Sequence, residues 1–315
     1  MAESFWIAVN AVIPFFCYLA LGYGARRLGT VDTPFLNRLT KLIFSVMFPF
    51  MTFNNIYAAS RDAVPSRMLL LFVGLAILAV EGLGLWLVPK RVLENSRRGV
   101  IIQALYRSNF VLFGIPLTAT LYGSDQTSIA AMLAAEVLTV YNITSVIILE
   151  LFNSQGEKIQ VRSLLGKFIR NPMLQGCCLG LLFFFLGLRL PKCLESPISS
   201  FANMTTPLAM FALGGAMEFD ALRRNARVLL GTVAAKLLLI PLVLVAIAYA
   251  LGLRGIELFL VVAVFGTPVA SGSYPMAMNM GGDGPLAGQL VFASTLAAVL
   301  TLFLWIFAMS WLRLL

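Results

Sequence analysis

The chain has 315 residues, of which 60% are hydrophobic and only 12% charged, with a formal net charge of +9 at pH 7. That balance lies far outside the range of soluble globular proteins and predicts an all-α integral membrane protein. His is absent, which excludes His-based triads, His-ligated zinc and imidazole relays. No GxxxxGK[ST] loop occurs, so nucleotide-driven pumping has no support.

A bilayer core of about 30 Å takes about 20 apolar residues as a helix. Ten runs reach that length, at roughly 5–25, 35–57, 67–89, 98–122, 127–152, 168–188, 197–218, 228–252, 256–281 and 286–312. Met1-Ala2-Glu3-Ser4-Phe5 has no basic region, and no cleaved leader is expected. Cys17, Cys177 and Cys178 lie in apolar runs, and none of the four Cys makes a CxxC pair. They read as packing residues, with no metal and no cofactor expected.

Span 2 contains Pro49, followed by Thr52, Asn54 and Asn55. Span 4 carries Arg107 and Asn109, then Phe113-Gly114-Ile115-Pro116; span 9 carries Phe265-Gly266-Thr267-Pro268, then Ser271, Ser273 and Asn279. From the counts of Phe, Gly and Pro, roughly 0.08 such Phe-Gly-x-Pro tetrapeptides are expected by chance. Proline removes a donor and glycine permits a left-handed ending, so each motif predicts a helix that stops and restarts. On this reading Pro116 and Pro268 begin the second half-helices, whose N-terminal ends favour a carboxylate near the midplane. The plainer reading is that Gly and Pro relieve packing, since both are common in membrane helices. Asn109, Thr267, Ser271, Ser273, Asn279, Thr52 and Asn55 are either substrate contacts or interhelical glue.

Four ionisable groups fall inside spans: Glu81, Arg107, Glu136 and Lys236. Each costs at least about 2.5–3.5 kcal/mol on insertion scales, so each is expected to be paired or to face a cavity. Glu81 and Lys236 sit at equal depth, roughly 12 Å from the same membrane face, and are expected to form an ion pair. The alternatives are a pairing of Arg107 with Glu81, or roles in protonation and gating. Glu136 is expected to face the crossing. Span 7 offers Met210, Phe211, Gly214 and Gly215, a small apolar surface suited to sliding.

With the N-terminus outside, fifteen Lys and Arg fall on inner loops and six on outer ones. The positive-inside rule therefore places both termini outside. The basic residues are scattered through short loops, which argues for membrane topology and against nucleic acid. Pro49-Phe50-Met51-Thr52-Phe53 resembles Pro207-Leu208-Ala209-Met210-Phe211, and Tyr122-Gly123-Ser124-Asp125 resembles Met280-Gly281-Gly282-Asp283 at the same offset. Two five-helix repeats are expected, 1–155 and 156–315, with the charged loop 154–167 at their boundary. Five is odd, so the second copy enters from the opposite side and the repeat is inverted, with spans 4 and 9 equivalent.

Arg107-Ser108-Asn109-Phe110 through Gly114-Ile115-Pro116-Leu117, followed by Tyr122-Gly123, resembles the auxin efflux carrier family, whose bacterial members include malate and malonate permeases. Lys236 ahead of Pro241, Pro268 through Asp283, and Ser294-Thr295-Leu296 extend the resemblance over essentially the whole chain. It implies a ten-helix fold like those of bile acid symporters and sodium/proton antiporters, with the broken helices crossing. Spans 1, 2, 6 and 7 would form a scaffold, and spans 3–5 and 8–10 a transport domain. The chain lacks the long cytosolic loop of plant members, and the asparagine typical near the second proline.

The leading function is a secondary transporter of a small organic anion by alternating access, located in a bacterial inner membrane with both termini periplasmic. A sodium- or proton-coupled carrier of another solute is the alternative within transport, although the spans hold no Asp-Asp pair and Asp125 and Asp283 lie at helix ends. A non-transporting sensor is the alternative of another class, but no residues remain outside the ten spans for a signalling domain. An enzyme is not expected. Expected partners are the anion, a coupling proton or sodium ion, membrane lipid and a second copy in a homodimer.

Overall fold

The computed structural model describes residues 2–59, 65–123, 126–153, 170–217 and 219–315. Among the described residues it is helical throughout, with one isolated bridge, Ser108 to Val269, as the only extended pairing. Ser124, Asp125 and the 154–167 loop, and with them the expected repeat boundary, lie outside the described residues.

Helix α1 is Ala2–Arg27. Helix α2 begins at Thr33–Leu42, passes through a π turn at Ile43–Met47 and continues as Phe48–Tyr57. Next come α3 (Arg67–Leu87), α4 (Asn95–Tyr106), α5 (Phe110–Tyr122) and α6 (Thr127–Leu151). Then follow α7 (Pro172–Leu186), α8 (Lys192–Gly215) and the short α9 (Phe219–Arg224). Helix α10 runs from Ala226–Ala234 through a second π turn, Ala235–Leu239, into Ile240–Ala250. The last are α11 (Gly255–Gly266), α12 (Ser273–Asn279) and α13 (Gly284–Trp311).

Arg67–Lys90, Thr127–Leu151, Ala226–Ala250 and Gly284–Trp311 are long and apolar enough to cross a membrane. Their outer faces fit that solvent. Leu71, Leu75 and Leu78 of α3 recur at helical spacing and are more than half exposed, as are Leu242 of α10 and Leu300 of α13. Water would penalise such a surface, whereas lipid does not.

Two helix pairs are built on backbone contact. A Cβ at Gly22 of α1 would run into the carbonyl of Phe211 on α8, and one at Gly214 of α8 into the carbonyl of Leu19. Likewise a Cβ at Gly176 of α7 would strike the Pro49 carbonyl of α2, and one at Gly180 would lie 3.1 Å from that of Phe53. In lipid no hydrophobic force joins helices, so close backbone approach at small residues supplies the attraction. The Gly214-Gly215 surface therefore locks α8 to α1 instead of letting it slide.

The prolines are absorbed locally. Pro241 has no N–H for the carbonyl of Leu237, and the Trp305 indole of α13 donates to that oxygen at 2.9 Å instead. On α2 the π turn precedes Pro49, and the nearby Met47 carbonyl also accepts from Thr205 Oγ1 of α8 at 3.3 Å.

Gly214→Ala is expected to destabilise the detergent-solubilised protein by at least about 1–3 kcal/mol, because backbone cannot give way as a side chain can. Gly24→Ala, where a Cβ meets nothing within 4 Å, is expected to be neutral or to stabilise by about 0.4–1 kcal/mol. Thermal unfolding of both variants measures the difference.

Candidate functional site

Two chain breaks meet inside the bundle. Helix α4 ends at Tyr106 and α5 starts at Phe110; α11 ends at Gly266 and α12 starts at Ser273. The intervening segments pair antiparallel: Asn109 N donates to Pro268 O at 2.8 Å, and Ala270 N to Arg107 O at 3.4 Å. Ser108 Oγ donates to Val264 O and lies 3.0 Å from the Tyr141 hydroxyl. Val269 N donates to Ser294 Oγ at 3.0 Å. Each broken segment thus finds donors and acceptors on the other segment or on a neighbouring helix, as backbone away from water must.

The first break does not fall at its Gly-x-Pro motif, whereas the second does, with α11 ending at Gly266, although Pro268 does not begin the next helix. Pro116 lies inside α5 and does not begin it, and Pro268 lies in the extended segment ahead of α12. A helical proline forfeits one bond and kinks, which a helix survives. What opens the chain at 107–109 is the hydrogen bonding offered by the opposite break. At the second break proline acts through its predecessor, since Thr267 is extended (ψ 157°), as a residue before proline prefers. Pro116 and Pro268 are therefore not equivalent helix starts.

Beside the crossing lies a cavity of about 790 Å³, bordered by α1, α2, α5, α6, α8 and the two breaks. Of the residues singled out in the sequence, Asn55, Arg107, Asn109, Pro116 and Ser271 line it. The first N–H groups of α5, on Phe110, Val111 and Leu112, have no carbonyl within the helix to bond, and these residues also border the cavity.

The other candidates do not line it. Thr267 Oγ1 is bonded back to Ala263 O at 2.8 Å, and Asn279 donates to Pro275 O on its own helix at 2.8 Å. Gly114 makes room for the Phe110 ring, and Ile115 packs at the edge of the core. Thr52 and Ser273 are buried with hydroxyls that have no protein partner.

Arg107 is 3% exposed at the break itself. Its Nη1 meets Met276 Sδ at 2.9 Å, its Nη2 donates to Asn142 Oδ1 at 3.3 Å, and its Nε has no protein partner. Among the described residues no carboxylate lies within ion-pair distance of it; Arg97 pairs with Asp283 at 3.6 Å on the periphery.

The expected pairing of Glu81 with Lys236, and of Arg107 with Glu81, is therefore not formed. Lys236, fully buried in the π turn of α10, donates to Tyr106 O at 3.2 Å. The Lys236 amine thus sits on the last carbonyl of α4, where a helix C-terminus favours a donor. Glu81 faces Thr144 and the Tyr106 side chain instead. Depth alone matched Glu81 with Lys236, but Lys236 reaches the Tyr106 carbonyl whereas Glu81 faces side chains. Glu136 lies against Gly74 of α3 and does not line the cavity.

The sequence reading missed Ser108, Tyr141, Asn142 and Met276. The signal available was a buried polar pair in an apolar run, Tyr141-Asn142 in the middle of α6.

The profile of a family described as membrane transport protein matches residues 7–306, nearly the whole chain. The chain belongs to that family, the auxin efflux carrier family. It is also similar to a protein of Methanothermobacter thermautotrophicus named an uncharacterized transporter, with 22% identity over 300 residues, 95% of this chain and 97% of that one. Membership makes the chain an integral membrane transporter.

Because Glu81 and Lys236 do not pair but both adjoin Tyr106, the stability losses of Glu81→Gln and Lys236→Met are expected to couple by less than about 1 kcal/mol, without full recovery in the double variant. Thermal unfolding of the four proteins in one detergent checks this; a coupling above about 1 kcal/mol would restore the ion pair.

Proposed function

We propose that the chain is a secondary transporter that moves a small organic anion by alternating access. One observation carries the reading: Arg107, always charged and deeply buried, stands at the cavity with no carboxylate among the described residues to neutralise it. Burying an uncompensated cation is unfavourable unless the charge is used. A carboxylate entering the cavity gains that guanidinium and the open N–H groups at the start of α5, which replace its lost hydration. A cation entering the same space meets a barrier.

In this reading the chain crosses the membrane ten times in two inverted five-helix repeats, and the two breaks are the equivalent positions. The backbone-locked α1, α2, α7 and α8 form the fixed frame, and α3–α6 with α10–α13 form the moving unit. A second cavity of about 990 Å³ lies at the other end of the bundle, around the α1–α2 turn and the end of α8. Gly272 borders the first cavity, and Tyr274, two residues on, borders the second. Small shifts of the moving unit against the frame would join the site to one cavity or the other in turn. The distribution of Lys and Arg supports both termini on the outer side of a bacterial inner membrane. A proton or sodium ion remains the candidate for coupling.

The test is uptake by proteoliposomes of labelled mono- and dicarboxylates, their amides and matched amines under imposed proton, sodium and voltage gradients. Carboxylates are expected to be carried and the amides and amines not. Arg107→Gln is expected to lower carboxylate uptake about tenfold to a hundredfold, the worth of a charged hydrogen bond. Asn142→Asp places a carboxylate against the guanidinium without removing it and is expected to have the same effect. Undiminished uptake in both variants, each monodisperse on size exclusion, would refute the assignment.

A further inference from the structure

The second cavity has a chemistry of its own. Arg26 and Arg27 reach it from the end of α1, and Arg224 from α9, nearly two hundred residues later in the chain. Arg26 Nη2 donates to Thr33 Oγ1 at 2.6 Å, and Arg27 Nε donates to Tyr23 OH at 2.9 Å, with the Tyr23 ring 5.3 Å from its guanidinium carbon. These bonds hold the two guanidiniums in place with one N–H each, and a guanidinium carries five. Among the described lining residues there is no carboxylate.

Of the acids near it in sequence, Asp32 and Asp283 are committed elsewhere, and the side chains of Glu218 and Asp220 lie outside the described residues. Asp32 Oδ1 accepts Phe35 N at the start of α2, 2.8 Å away. Asp283 accepts Leu286 N at 2.9 Å and pairs with Arg97. Arg97 also donates to Asn225 Oδ1 at 2.8 Å, and Asn225 Nδ2 in turn donates to Gln289 Oε1 at 2.8 Å, which fixes a neutral polar wall of the cavity.

Helix polarity accounts for part of this. Arg26 and Arg27 occupy the last turn of α1, where cations complement the C-terminal end. It does not account for a third guanidinium from another segment converging on the same concave space. Three such groups with apolar walls behind them raise the local concentration of anions and match carboxylate and phosphate oxygens in geometry.

We propose that the second cavity is a binding site for small anions carrying two or more negative charges, and that it loads the crossing from that side of the membrane. Its place on the path rests on the transport function proposed above; the binding itself does not. The crossing offers one guanidinium and suits a single carboxylate, whereas the vestibule offers three and holds a multiply charged anion or a multiply charged end of one. The same chemistry would accept a soluble phosphate compound or the phosphate of an anionic lipid.

The experiment uses the full chain in nanodiscs of zwitterionic lipid, titrated with inorganic phosphate by calorimetry. Arg26→Gln, Arg27→Gln and Arg224→Gln combined are expected to weaken binding about tenfold or more, and the affinity of the unmodified protein is expected to fall as salt is raised. The triple Lys variant is expected to retain most of the binding. Gln at the exposed Arg67, Arg91 and Arg170, which line neither cavity, removes equal charge and is expected to change little. An equal loss in that control would overturn the site, and so would a loss in Arg107→Gln that the vestibule triple does not show. Weaker phosphate binding in nanodiscs containing phosphatidylglycerol, confined to proteins with the three arginines, would identify lipid as the source of the anion. Failure of carboxylate transport with phosphate binding intact and sensitive to the triple would reject the transport reading and keep the site.

Discussion

The pairing of two interrupted helices is the constraint on which this structure depends. Backbone within a bilayer has no water to turn to, so an opened helix must have its free N–H and C=O groups met by protein. Here each opening is met largely by the other, through Asn109 to Pro268 and Ala270 to Arg107, with Ser108, Ser294 and Lys236 completing the set. The result is a short stretch of irregular backbone fixed at the centre of the bundle, bordering a cavity and bearing a permanent cation.

The two buried basic residues have different duties under that constraint. Lys236 is spent on the structure, because its amine sits on the terminal carbonyl of α4 and satisfies both a hydrogen bond and a helix end. Arg107 is held by a thioether and an amide oxygen, neither of which neutralises it. That difference separates a residue that holds the crossing together from one left available to a ligand. The glycine contacts between α1 and α8 and between α2 and α7 give the complementary property, a frame too closely packed to deform.

Among the described residues, the helices coincide closely with the hydrophobic runs, since spans of about 20 apolar residues are dictated by length and composition. Polar residues inside those runs were visible too, and five of them or their neighbours, Asn55, Arg107, Asn109, Pro116 and Ser271, proved to border the cavity. The glycines that lock α1 to α8 were also present, although a small surface suggested sliding when it served close packing.

The sequence by itself determined that this is a helical membrane protein with two irregular points, because hydrophobic length and the rarity of Phe-Gly-x-Pro are properties of the chain alone. Only the tertiary structure decided that the first helix opens at 107–109 and not at Pro116, since a helical proline forfeits one hydrogen bond and the partner segment selects the residues that are freed. It also decided which charges meet. Glu81 and Lys236 share a depth, but contact depends on helix rotation, which a one-dimensional pattern of apolar residues leaves open. The convergence of Arg26, Arg27 and Arg224 was equally invisible, because residues so far apart in sequence are brought together by packing and by no local rule.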